Sequence, residues 1–228
     1  MILDDFNTLI SWSLASFSHL PWRENRTLYR TLVSEIMLQQ TTVSTVLGRF
    51  NLFMEEFPSL SDLASASEEE LTVAWKGLGY YRRARNLRLA AQYFLEEEGG
   101  VIPGDYHRLL KAPGIGEYTA SALLAIGQNK VSLPLDANLE RVLARFYLIK
   151  GPKGPALMKK IRARFQEELI LKEMHQGEVS PRELSEAFMD LGRMICSIRK
   201  PRCIECPLKN NCKAYEMNEA EKYPEVSS

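Results

Sequence analysis

Apolar residues return every three or four positions along almost the whole chain, and no useful stretch alternates apolar with polar as a half-buried strand must. That period argues against a sheet-based fold and predicts an all-α protein. Leu28, Leu32, Ile36 and Val43 trace one helix, Leu87, Ala90, Ala91 and Phe94 a second, and Leu139, Val142, Leu143 and Phe146 a third. Ser180-Pro181-Arg182-Glu183 combines a serine cap, a proline at the first helical position and a glutamate three residues after the cap, so a helix should run from there towards Cys196. Gly99-Gly100, Pro103-Gly104, Pro113-Gly114 and Gly151-Pro152-Lys153-Gly154-Pro155 break the pattern between helices. The last of these reads as a surface loop, the residues after Tyr215 read as a polar tail, and there is no internal repeat.

With 228 residues, 45% of them hydrophobic and 25% charged, the chain can bury a real core in one or two compact lobes and is not a disordered polymer. No stretch approaches the ~20 apolar residues that span a bilayer. Met1-Ile2-Leu3-Asp4-Asp5 has neither a basic nor a continuous apolar leader region, so the chain is expected to stay in the compartment where it is made. Lys plus Arg equals Asp plus Glu, 29 each, which argues against nucleic-acid binding by bulk charge alone. The charges are uneven: acidic at Glu68-Glu69-Glu70 and Glu96-Glu97-Glu98, basic at Arg82, Arg83, Arg85 and Arg88 and again from Lys150 to Arg164. A basic face on a neutral body and plainly solvated helices both fit.

The four cysteines are clustered as Cys196-x6-Cys203-x2-Cys206-x5-Cys212, which favours a metal centre over disulfides or reduced structural thiols. Thiolates suit both zinc and an iron-sulfur cube, and the spacing contains a single Cys-x2-Cys knuckle where a zinc ribbon normally has two. Lys111-Ala112-Pro113-Gly114-Ile115-Gly116-Glu117-Tyr118-Thr119-Ala120 is a tight turn opening an apolar helix that ends at Gly127. Gly114 and Gly116 let backbone approach a phosphate closely, although many such turns are plain αα-hairpins.

Two carboxylates stand out locally. Glu35 lies on a stripe with Leu28, Leu32 and Gln39, where burial would disfavour its charge and make it a general acid; the plain alternative is an exposed glutamate on an imperfect stripe. Asp136 precedes a helix in Leu135-Asp136-Ala137-Asn138, the ordinary place of an N-cap.

Taken together, these segments carry a resemblance. The cysteine quartet, following Ala187-Phe188-Met189-Asp190-Leu191-Gly192, is similar to the 4Fe-4S signature of the endonuclease III and adenine DNA glycosylase (MutY) superfamily. The 111–120 turn resembles its helix-hairpin-helix. Ser34-Glu35-Ile36-Met37-Leu38-Gln39-Gln40-Thr41 looks like the segment of adenine glycosylases that holds their catalytic glutamate. Pro21-Trp22-Arg23 and Gly77-Leu78-Gly79-Tyr80-Tyr81-Arg82-Arg83-Ala84-Arg85-Asn86-Leu87 extend the likeness across most of the chain up to Cys212.

The resemblance implies two helical lobes, a six-helix barrel with the hairpin over 21–133 and an iron-sulfur lobe formed by 1–20 and 134–228, with DNA in the cleft and Asp136 at the junction. It implies one 4Fe-4S cluster on Cys196, Cys203, Cys206 and Cys212, with Arg199, Lys200 and Arg202 meeting a phosphate backbone. Glu35 would protonate adenine N7, Asp136 would support the oxocarbenium ion, and Tyr118 and Asn138 would position both. Trp22, Arg23, Leu38 and Glu186 would line the pocket for a flipped base, Gln40 and Tyr80 would fill or wedge the gap, and Thr41 and Leu78 would sit near the opposing purine. It further implies double-stranded DNA with a mispaired or damaged base as the partner, no membrane, and a chain acting as a monomer in the cytoplasm, on the nucleoid in a bacterium.

Endonuclease III-type enzymes place a lysine where this chain has Tyr118, so the resemblance implies base removal without an efficient strand-cleaving step. Three departures matter. Ala112 stands where leucine is common, and Ala137 stands where glycine is, as in the related thymine-mismatch glycosylases. The chain also stops before the C-terminal domain by which adenine glycosylases help recognise 8-oxoguanine, as an isolated catalytic portion or a naturally short enzyme would. A T/G or U/G mismatch glycosylase is therefore the second reading, opposed by Gln39-Gln40 and the Gly-Leu-Gly-Tyr-Tyr segment. A non-catalytic damage-binding module is the third, opposed by the two carboxylates.

Overall fold

A computed structural model of the chain describes residues 2–167 and 176–224. In chain order its α-helices are α1 (Ile2–Phe17), α2 (Pro21–Glu24), α3 (Leu28–Leu38), α4 (Val43–Leu47), α5 (Phe50–Glu56), α6 (Leu60–Ser65), α7 (Glu68–Ala74), α8 (Arg82–Glu97), α9 (Tyr106–Leu109), α10 (Glu117–Ala122), α11 (Ala137–Tyr147), α12 (Pro155–Glu167), α13 (Pro181–Met194) and α14 (Lys213–Glu216). The protein is all-α, with no strand among the described residues. No helix there is long and apolar enough to cross a membrane.

The chain divides into two compact units, His19–Gln128 and Met1–Ser18 with Asn129–Ser228. Residues 129–133 thus fall in the second unit rather than the first. Leu133 belongs to that unit's apolar core, and its carbonyl accepts a hydrogen bond from Arg162 Nη1 at 3.2 Å.

Short polar residues start α3, α4, α6, α7 and α9 of the first unit. Thr27, Thr42, Ser59 and Asp105 each accept a backbone N–H from the turn they open, and Ser67 with Glu70 forms a reciprocal capping box. Each such cap stabilises its helix by about 1 kcal/mol. α8 buries Leu87, Ala90, Ala91 and Phe94, its 3.6-residue stripe, and packs against α6. Phe53 meets both Phe57 and Trp75 edge to face. Leu28, Leu32 and Ile36 do share α3, but Val43 does not continue it. The helix stops at Leu38, Gln40 takes a positive φ of 54°, and Thr42 caps a new helix.

In the second unit α1 lies against α13, and α13 against α11. Phe6 meets Phe146 and Phe188 with centroids 5.9 and 5.5 Å apart, in a core that includes Leu139, Leu143 and Leu191. Burying each such side chain contributes roughly 1.5–3 kcal/mol. The serine cap of α13 is present, Ser180 Oγ accepting from Glu183 N at 3.3 Å. The residues after Tyr215 do not trail as a simple polar tail. Tyr223 is buried and its carbonyl accepts a hydrogen bond from Arg145 Nε at 2.8 Å, because an aromatic ring and an otherwise unmet guanidinium donor both gain by docking.

Candidate active site

α3 turns Leu32, Val33 and Ile36 into the first unit's core, and Glu35 sits on the same buried arc with 6% exposure. The exposed-glutamate alternative is therefore set aside. Tyr118, the second residue of α10, is half-buried and donates its hydroxyl to Glu35 Oε2 at 2.9 Å, joining positions 83 residues apart. Gln39 Nε2 adds a second tie between the same helices through Thr119 Oγ1 at 3.3 Å.

After α10 the helix widens into a π-turn over Leu123–Gly127. A Cβ on Gly127 would come within 2.6 Å of Leu28 Cδ2, so glycine permits the close approach of α3. Gly114 has φ +76° and its Cβ would lie 2.5 Å from Asn86 Cβ, so the hairpin turn requires glycine on both counts. Gly116 faces open space, as backbone offered to a ligand would, and Ala112 is buried, an ordinary core residue.

Two turns lie beyond α3. Gln40 is exposed, Leu38 and Thr41 are half-buried, and Thr41 Oγ1 donates to Leu78 O at 3.3 Å. Tyr80 is 63% exposed with φ 46°, whereas Leu78 is buried. Thus Gln40 and Tyr80 are presented to solvent, and Thr41 and Leu78 touch each other. Trp22 is buried, edge-on to Phe50 at 5.6 Å, and the neighbouring Arg23 is half-buried. Arg83, grouped in the sequence with Arg82, Arg85 and Arg88 as one basic run, is buried and bonds to both turns. Its place four residues before Leu87 on the buried stripe was the signal for this.

In the second unit Asp136 is the N-cap of α11. Its Oδ1 accepts Asn138 N at 3.0 Å and Leu139 N at 2.7 Å, while Oδ2 accepts Asn138 Nδ2 at 3.1 Å. Asn138 Oδ1 in turn accepts Arg141 Nη2 at 3.0 Å, and Arg141 Nε donates to Cys196 O at 2.7 Å. Gly192 leaves room for this chain, since its Cβ would lie 2.9 Å from Asn138 Cβ. Glu186 is buried on α13. The periodicity of α11 did not reveal Arg141 and Arg145, both buried, as anchors of the cysteine region.

All four cysteines border one pocket, together with Val142, Arg145 and Leu191. Among the described residues no three His, Cys, Asp or Glu side chains converge on one metal ion. Burial pushes the Cys206 thiol up to about 12 and raises those of Cys203 and Cys212. Arg145 Nη1 donates towards Cys196 Sγ at 3.3 Å. Four thiols lining one pocket, with the Arg145 guanidinium beside Cys196, are a donor set that suits an iron-sulfur cluster and zinc alike. Arg199 and Lys200 are exposed on the intervening loop, whereas Arg202 is engaged, donating to Met194 O at 2.7 Å and to Glu205 Oε2 at 3.0 Å.

Residues 33–167 match the profile of the HhH-GPD superfamily of base excision DNA repair proteins. An adenine DNA glycosylase of Buchnera aphidicola subsp. Baizongia pistaciae is 35% identical over 222 residues, 93% of this chain and 59% of that protein. The human adenine DNA glycosylase is 35% identical over 94% of this chain and 40% of its own length. The chain therefore spans about three fifths or less of these relatives. Among solved structures, a thermostable thymine-DNA glycosylase superposes with TM-score 0.74 and 25% identity, covering 93% of this chain and 95% of that one. A non-covalent endonuclease III–DNA complex, at 19% identity, TM-score 0.68 and coverage of 96% and 98%, shares the fold.

Proposed function

The chain belongs to the HhH-GPD superfamily of base excision DNA repair proteins, and from that premise we propose that it is a monofunctional DNA glycosylase that hydrolyses the N-glycosidic bond of adenine mispaired with 8-oxoguanine or guanine. The buried Glu35, held by the Tyr118 hydroxyl, carries this assignment. A carboxyl fixed on one side by a neutral phenol is placed to hand a proton to a departing base. The Asp136 carboxylate, oriented by its cap bonds and by Asn138, supports positive charge as it develops on the sugar, and water completes the substitution. Tyr118 has no amine to attack the sugar, so no Schiff base forms and the strand stays intact. Duplex DNA is the substrate and a single chain the acting unit.

Incubation of excess protein with duplexes carrying A opposite 8-oxoguanine, A opposite G and T opposite G tests this. Adenine release is expected, with strand breaks appearing only after alkali. Preference for thymine would establish the second reading, favoured by Ala137 and by the likeness to a thymine-DNA glycosylase. Release of no base from any duplex would leave a binding module.

Cys196, Cys203, Cys206 and Cys212 would hold a 4Fe-4S cluster, which when bound supplies a rigid cross-link organising the loop that bears Arg199 and Lys200. The purified protein is expected to contain about four irons per chain with a visible thiolate-to-iron absorption band. Cys206→Ser should lose both and lower the melting temperature; stoichiometric zinc and a colourless protein would rule the cluster out.

A further inference from the structure

Arg83 is 9% exposed on α8, and its guanidinium reaches carbonyls from two separate turns. Nη1 donates to Ile36 O at 2.9 Å, Met37 O at 2.8 Å and Gln39 O, the unpaired carbonyls at the end of α3. Nη2 donates to Thr41 Oγ1 at 2.8 Å, Leu78 O at 2.9 Å and Gly79 O at 3.2 Å. The Trp75 and Tyr80 rings each lie 5.5 Å from the guanidinium carbon, and Trp75 Nε1 donates to Gly79 O at 3.0 Å. Each turn contains a non-glycine residue in the left-handed region, Gln40 at φ 54° and Tyr80 at φ 46°, a conformation that persists only where surroundings impose it. These same two residues point into solvent.

We infer that Arg83 is a positioning residue that ties two strained turns into one rigid wedge, presenting Gln40 and Tyr80 together to a mispaired duplex. The wedge rests on the glycosylase function proposed above, whereas the clamp rests on geometry alone. A planar fork with paired nitrogens can hold two turns at once; the single ammonium of lysine cannot. Being buried and committed to carbonyls, Arg83 does not act as a phosphate contact.

Arg83→Lys separates these roles. Without DNA, amide exchange at Thr41 and Leu78, whose N–H groups bond to Leu38 O and Trp75 O, is expected to accelerate about tenfold or more. With DNA, the fluorescence rise of 2-aminopurine beside the target base should shrink and single-turnover base release should slow about 10²-fold, as for a misplaced substrate. The dependence of binding on salt should not change, because no phosphate contact is lost. Unchanged exchange at both turns would overturn the clamp, and a salt slope lower by about one would make Arg83 a phosphate ligand. Faster exchange with undiminished 2-aminopurine signal and release would show that the turns are no wedge. Should Arg83→Lys fail to fold, Thr41→Val removes one acceptor and must still speed exchange in both turns. If the wild-type protein releases no base, the glycosylase function and the wedge fail together, while the exchange measurement alone judges the clamp.

Discussion

Replacing Glu35 by glutamine is expected to slow base release by about 10³-fold or more while duplex affinity stays within about threefold. Glutamine keeps the size of the side chain and can still accept the Tyr118 hydroxyl through its amide oxygen, so the packing of α3 against α10 survives. What it lacks is a proton to give. The loss should therefore appear in the single-turnover rate rather than in binding, measured by fluorescence anisotropy on the same duplex. A variant that retains turnover would assign the acid elsewhere.

Asp136→Asn is expected to cost about 10²–10³-fold in rate, for a different reason. Asparagine caps helices as well as aspartate does, and its carbonyl can take over the bonds from Asn138 N and Leu139 N. Thermal stability should change by only a few degrees, since about 1 kcal/mol corresponds to roughly 2–4 °C at this size. Asp136→Ala removes both cap and charge. If charge is what matters, both variants are slow and only alanine destabilises α11. Were asparagine fully active and alanine impaired, Asp136 would be a cap and nothing more.

The weight each carboxylate carried in the sequence differed from its weight in the structure. Glu35 looked misplaced by periodicity, and a stripe cannot say whether a polar residue on it is buried; the partner that decides this is Tyr118, on a helix far along the chain. Asp136 looked like a cap and is one, because capping is a contact among neighbours that local order reveals. Trp22 is buried edge-on to Phe50, a contact that local spacing does not show. Arg83 was counted among surface cations, and its burial becomes visible only when the end of α3 and the 77–81 turn are brought to it.

The sequence by itself determined the helical class, the capped starts of α11 and α13, the glycine turn of the hairpin and the clustering of four cysteines. These depend on spacings of a few residues, where backbone geometry translates pattern directly into shape. Tertiary structure decided that Glu35 is buried against Tyr118, that α3 ends at Leu38 with Arg83 meeting its carbonyls, and that Tyr223 docks on Arg145. Each of these joins segments more than 40 residues apart. A buried donor or acceptor must find a partner wherever the fold provides one, so only the folded chain identifies which residue that partner is.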